Sequence, residues 1–164
     1  MAWADPEFGS LVASCGNDQK VCFYKEKSTS EKHSVKQKGQ IETGKIWEKE
    51  MIAQLNDPIK DIKFAPKFFG LVIAVALQSG KVKFYKPTSE GDIKMWSDFY
   101  GEINTFTASC NCLAWNPAFD EDVMVIVGCS GLKREKQVEN KFVGAEEKPI
   151  EDSLLQLYRL DGNK

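Results

Sequence analysis

Short runs that alternate apolar and polar residues recur along the chain, each set off by turn residues. KVCFYK (20–25) and KVKFYK (81–86) put Val and Phe on one face and Lys, Cys or Tyr on the other, and LLQLYR (154–159) is a looser third copy. Alternation with period two predicts strands. Each of these runs follows a β-branched, near-continuously apolar stretch and a turn: LVAS then GNDQ, LVIAVAL then QSG, VMVIV then CSG. Ahead of each lies a short segment ending in an aromatic with proline soon after: Trp3 and Pro6, Phe64 and Pro66, Trp115 and Pro117. Proline donates nothing to a strand ladder, so these pairs read as strand ends.

The units are copies of one another. WADPEFGSLVASCGNDQKVCFYK (3–25) aligns without a gap on FAPKFFGLVIAVALQSGKVKFYK (64–86) at a constant offset of 61. Ala4/Ala65, Phe8/Phe69, Gly9/Gly70, Ala13/Ala74 and both FYK triplets coincide. A third unit opens with CNCLAWNP (110–117) and reaches LLQLYR after an interruption. Between units, IWEKEMIAQL (46–55) and IKMWSDFYGEINTF (93–106) supply a fourth, outer strand, although the propensity of the first also fits a short helix.

Four antiparallel strands, repeated, with an apolar second strand that must be covered on both faces, predict an all-β fold of β-propeller blades. The repeated strand is then the third of each blade, recurring because each blade offers the same two faces to its neighbours. The expected boundaries are 1–55 with a truncated first strand, 56–106 and 107–164. Evenly spaced hairpins of a β-sandwich are the alternative.

Charge changes this picture little. The 164 residues are 42% apolar and 28% charged with a formal net charge of −2, which does not suggest a polyanion-binding surface. No apolar run approaches the roughly 20 residues that cross a bilayer, and MAWADPEFG does not resemble a secretory signal, so a soluble nucleocytoplasmic chain is expected. Five cysteines (Cys15, Cys22, Cys110, Cys112, Cys129) then read as reduced thiols rather than a disulfide framework.

The repeated strand resembles the end of a WD repeat, with Tyr24, Tyr85 and Tyr158 in the tryptophan slot and Lys25, Lys86 and Arg159 in the aspartate slot. Trp3, Phe64 and Trp115 mark the first strands, Phe23, Phe84 and Leu157 the inward positions of the third, and Asp18 the acidic turn position. No unit keeps the WD dipeptide or a preceding Gly-His pair, so the buried polar tetrad of that family is not expected. AWADPEFGSLVASC resembles a repeat shared by the Sec-thirteen coat protein and its nucleoporin homologue, and FAPKFFGL with CLAWNP is closer to the latter, the Seh-one family.

The resemblance implies a non-enzymatic scaffold without cofactor. It implies an open six-bladed propeller that accepts a blade from an α-solenoid nucleoporin in the Y-shaped nuclear pore coat, with a related role in the nutrient-signalling SEA complex. Location at the nuclear envelope follows, and the cytoplasmic or vacuolar membrane surface for the SEA assembly. Three units against six suggest a fragment that needs the remaining blades of its propeller. A Sec-thirteen-like vesicle coat subunit is the alternative within the scaffold class. Partner-contact residues cannot be carried over, because the accepting edges in the family lie between the first and last blades.

Two insertions interrupt the pattern. Residues 25–45 are polar and Lys-rich, but Glu26, Glu31 and Glu42 dilute the charge and no aromatic is interleaved. They read as a solvated loop, with nucleic-acid binding the alternative from another class. Residues 132–152 mix both signs around Phe142 and Val143 and read as an excursion.

Catalytic chemistry finds no residues to carry it. His33 sits in the Lys-rich loop without a nucleophile, and GCSG (128–131) is too short for a phosphate loop. Cys110 and Cys112 share a strand face by period two, lack further ligands at zinc spacing, and read as two small buried hydrophobes.

Overall fold

The computed structural model describes residues 1–28, 45–89, 92–118, 122–132 and 155–160. They form eleven strands in three antiparallel sheets, the architecture of a partial β-propeller. The first sheet orders β1 (Ala2–Trp3), β2 (Leu11–Cys15), β3 (Lys20–Ser28) and β4 (Lys45–Gln54) as neighbours. The second repeats this with β5 (Ile59–Phe64), β6 (Ile73–Leu77), β7 (Lys81–Ser89) and β8 (Asp92–Asn104). The third contains β9 (Thr107–Trp115), β10 (Val123–Leu132) and β11 (Leu155–Leu160).

The sequence repeat is a structural one. Ala13 pairs with Phe23 as Ala74 pairs with Phe84, and Val12 with Tyr24 as Ile73 with Tyr85. Both copies of the loop between first and second strands make a 3₁₀ turn, Pro6–Phe8 and Lys67–Phe69. Gly9 and Gly70 end these turns at φ 82° and 89°, a conformation that glycine adopts without strain, which explains their coincidence in the alignment.

Two apolar layers lie between the three sheets. Leu11, Ala13, Val21 and Phe23 of the first sheet pack on Ile59, Ile62, Ile73, Val75 and Leu77 of the second. From the opposite face of the second, Ala74, Ala76, Val82 and Phe84 pack on Leu113, Val125, Val127, Tyr158 and Leu160 of the third. All five residues of β6 are therefore buried, which is why IAVAL carries no polar position.

IWEKEMIAQL forms the outer strand expected of it, its backbone pairing with β3 from Lys45 to Gln54, and not the alternative short helix. Other expectations from sequence are corrected. The stretch 25–45 is strand at both ends, where Lys27 pairs with Glu48 and Lys45 with Glu26 at 3.2 Å. The rest of it, with His33, and residues 133–152, with Phe142 and Val143, lie outside the described residues.

CSG does not turn. β10 continues through it to Leu132, pairing Cys129 with Cys110 and Ser130 with Ser109, while Gly131 takes φ 67°. Nor do Cys110 and Cys112 share a face. Adjacent Gly128 and Cys129 oppose Cys112 and Cys110, so Asn111 is an extra, bulged residue that reverses the phase; Cys110 is buried and Cys112 exposed.

Candidate interaction surfaces

The geometry of each junction between sheets follows from alternation along the strands. Trp3, Val12 and Tyr24 lie side by side across the first sheet, Phe64, Ile73 and Tyr85 across the second, and Trp115, Val125 and Tyr158 across the third. These are the back rows. The front rows, on the other faces, contain Ala13 and Phe23, Ala74 and Phe84, and Ile126 and Leu157. Front row meets back row. Phe23 lies 6.0 Å from Phe64, and Phe84 lies 5.9 Å from Trp115 in an edge-on arrangement.

Polar contacts sew the same junctions. Asp61 on β5 accepts from its neighbour Ile62 N–H at 2.8 Å and from Leu113 N–H of the third sheet at 2.9 Å. The Trp115 indole donates to the Lys63 carbonyl at 3.3 Å. Asp57 accepts from Ser79 N–H at 3.0 Å, fixing the turn before Gly80. A partly buried chain runs from the Gly80 carbonyl, which accepts from Thr105 N–H and Oγ1, to the Thr105 carbonyl, which accepts from Gln156 at 2.9 Å, and on to the Tyr158 hydroxyl, which donates to the Gln156 side-chain oxygen. In this chain these groups do what a buried tetrad would, satisfying polar atoms between blades.

The ten residues singled out from sequence divide by position. Phe23 and Phe84 are fully buried and Tyr158 is buried beside Gln156. Tyr85 is half-buried, and burial with nearby Asp98 and Glu102 pushes its phenol up to about 12. Phe64 and Trp115 are partly buried at the two junctions. Tyr24 lies under Lys49, whose ammonium is 5.9 Å from the ring centroid, and Asp18 accepts from Lys20 N–H at 3.3 Å in an exposed hairpin turn. Trp3 is 66% and Leu157 60% exposed, because they face outward from the first and third sheets.

Other contributors escape a sequence reading. Trp96 on β8 stacks on Phe23 at 4.2 Å with planes 8° apart, and Asp61, Thr105 and Gln156 act across more than 50 residues. No pattern within one repeat signals such contacts.

Among the described residues, three surfaces expose apolar side chains. An apolar cleft of about 660 Å³ lies at the ends of the three inner strands, lined among others by Trp3, Phe64, Pro66, Phe68, Trp115 and Pro117. On the back of the first sheet, Trp3 and the 46% exposed Trp47 meet edge-on at 5.9 Å. The front of the third sheet shows Ile126 and Leu157. Exposed apolar side chains grouped in this way are candidate contact points for a partner. Among the described residues, no group of His, Cys, Asp and Glu is arranged to hold a metal ion, and no helix is long and apolar enough to cross a membrane.

No protein-family model matches the chain. Curated proteins do. Nucleoporin SEH1 of Homo sapiens and Nucleoporin SEH1-A of Xenopus laevis are each 33% identical over 125 residues, covering 72% of this chain and 31% of the relative. Nucleoporin SEH1 of Danio rerio is 33% identical over 119 residues, 72% of this chain and 30% of its own length. The chain thus spans about a third of the length of the curated relatives it matches. With three sheets stacked front row to back row, and this identity over most of its length, the chain belongs to the SEH1 family of nucleoporins.

Proposed function

We propose that the chain is a non-enzymatic scaffold subunit of the nuclear pore coat, built as propeller blades 1–55, 56–106 and 107–164, that joins an α-solenoid nucleoporin by strand and blade complementation. The kinship with proteins named Nucleoporin SEH1 supports the assembly, and the exposed blade faces support the mode. The single observation that carries the mode is the front row of the third sheet: Leu157 occupies the position of Phe23 and Phe84, both fully buried, yet is itself 60% exposed. A partner that covers it gains the burial that the other two junctions already have.

On this reading Trp3, Asp18, Phe23, Tyr24, Phe64, Phe84, Tyr85, Trp115, Leu157 and Tyr158 are structural repeat positions. The remaining blades of the propeller are further partners, and no small-molecule substrate, cofactor or nucleic acid is required. A second assembly, the SEA complex at the vacuolar or lysosomal surface, would use the same faces.

A fluorescently tagged chain, expressed with the coat subunits, tests the assignment. Enrichment at the nuclear rim is expected, and punctate vesicle-coat sites without a rim would favour the Sec-thirteen-like alternative. Nucleic-acid binding through 25–45 is tested separately by filter binding at two salt concentrations, where retention that falls steeply with salt would favour it.

A further inference from the structure

The bulge in β9 that exposes Cys112 also creates a pair of thiols. Counted without a bulge from the Gly128–Cys112 pair, Asn111 would stand opposite Cys129; with the bulge Cys110 does, and both cysteines are buried. Directly opposed residues of antiparallel strands point to one face with Cα atoms about 4.5–5.5 Å apart, inside the roughly 4.4–6.8 Å that a disulfide spans. We propose that Cys110 and Cys129 form a reversible redox site, joined by a disulfide when a hydroperoxide such as hydrogen peroxide takes up the electrons.

The surroundings are not those of two small hydrophobes. The turn between β8 and β9 holds Phe106 outward at φ 55°, a conformation that a bulky residue adopts only where its neighbours impose it. On either side of it Thr105 and Thr107 are buried, their hydroxyls 2.6 Å apart, and that of Thr105 lies 3.5 Å from the Cys110 sulfur. A thiol in an apolar pocket is inert, whereas hydrogen bonds to its sulfur favour the thiolate, which is the nucleophile. The Cys110 thiol, and after it the Thr107 and Thr105 hydroxyls, hold Cys129 down at about 6 against the cost of burial. The bond to Cys129, and then burial, push Cys110 up, so it is the member that keeps its proton.

That difference sets the roles. The Cys129 thiolate attacks one peroxide oxygen, the O–O bond breaks, and the departing hydroxide takes up a proton as water, leaving Cys129 as the sulfenic acid. The Cys110 sulfur then attacks the Cys129 sulfur, and its proton leaves with the sulfenic hydroxyl as a second water. Each thiol gives up one electron and the peroxide gains both. Cys129 adjoins the exposed Ser130 and Gly131 near the end of β10, so local fraying of that end admits a reagent as small as peroxide. Opposed Cβ atoms about 4.5–5.5 Å apart must draw in to the roughly 3.5–4.5 Å of a disulfide, and a bond closed under such tension is one that a dithiol reopens. The site lies within the third sheet and is independent of the coat assignment.

Peptide mapping of the full chain, folded and treated with hydrogen peroxide, tests it. Remaining thiols are capped with N-ethylmaleimide, and cleavage before Asp120 in denaturant separates the peptides of Cys110 and Cys129. A disulfide joining these two peptides is expected, in Cys112→Ser as in the wild type, and dithiothreitol should restore both thiols. Cys110→Ser removes the sulfur that closes the bond, so Cys129 should stop at the sulfenic acid and be labelled by dimedone. Cys110→Ala takes its place if that variant misfolds, with the same label expected. Thiols that stay reduced in the folded wild type, a link that Cys112→Ser abolishes, oxidation of Cys129 to the sulfinic acid without a link, or a Cys129 that dimedone never labels would each overturn the proposal.

Discussion

The Trp96 indole lies flat on the Phe23 ring, centroids 4.2 Å and planes 8° apart, so the outer strand of the second sheet closes over the first sheet's front row. Stacked aromatic pairs contribute about 0.5–1.5 kcal/mol beyond the area they bury. Trp96→Leu should therefore lower the stability of the chain by about 1–2 kcal/mol in a urea titration, and combining it with Phe23→Leu should cost less than the sum of the two. Strict additivity would show that the stack contributes nothing of its own.

Phe84 and Lys83 are neighbours on β7 that point to opposite faces, one fully buried and the other partly exposed beside Glu102. Phe84→Ala should cost about 3 kcal/mol or more, in the range of large-to-small core changes, and Lys83→Ala less than about 1 kcal/mol. Similar losses for both in denaturant titrations would contradict the phase of the repeated strand.

Gly80 turns β6 into β7 at φ 81°, and a Cβ there would sit 2.1 Å from the Thr107 carbonyl oxygen. Strain and collision act together, and the collision is with backbone. Gly9→Ala, with nothing near its Cβ, meets only the backbone strain of φ 82° and ψ −174°, a region essentially restricted to glycine, at about 1–3 kcal/mol, and Gly80→Ala, which adds the collision, should destabilise by more than Gly9→Ala. Equal midpoint shifts would show that Thr107 does not press on this turn.

The Tyr85 phenol is pushed up to about 12 from 10 by burial first and then by Asp98 and Glu102. Unfolded, it loses its proton near pH 10 while the folded protein still holds it. Its contribution to stability is therefore complete below about pH 10 and is lost as pH rises towards about 12. Tyr85→Phe should flatten the decline of stability in that window relative to the wild type. An identical alkaline slope in both proteins would mean that Tyr85 does not titrate late.

How much of this was legible follows the range of the interactions. The offset of 61 exposes the equivalence of Phe23 with Phe84 and of Gly9 with Gly70, because repeats need the same faces and the same turns. The exposure of Leu157 against the burial of its counterparts was not legible, since alternation records a face and not what covers it. Cys112 was misplaced because period-two counting has no place for the bulged Asn111. The pairing of Asp61 with Leu113 N–H and of Gln156 with Thr105 depends on the stacking of sheets, which no local pattern encodes. The departures from a WD tetrad were visible as missing residues, but their polar replacement was visible only in the fold.

The most direct test of the central claim is co-purification of the chain with an α-solenoid nucleoporin that carries a three-stranded insertion, at about 0.1 M and about 1 M salt. Screening shortens to roughly 3 Å at 1 M, which weakens exposed ion pairs but not apolar burial or backbone pairing. The account predicts a soluble complex of constant stoichiometry at both concentrations, lost when Leu157 and Ile126 are both changed to Asp. No complex at either salt, or one that dissolves at 1 M and ignores those substitutions, would contradict a scaffold that assembles through its blade faces.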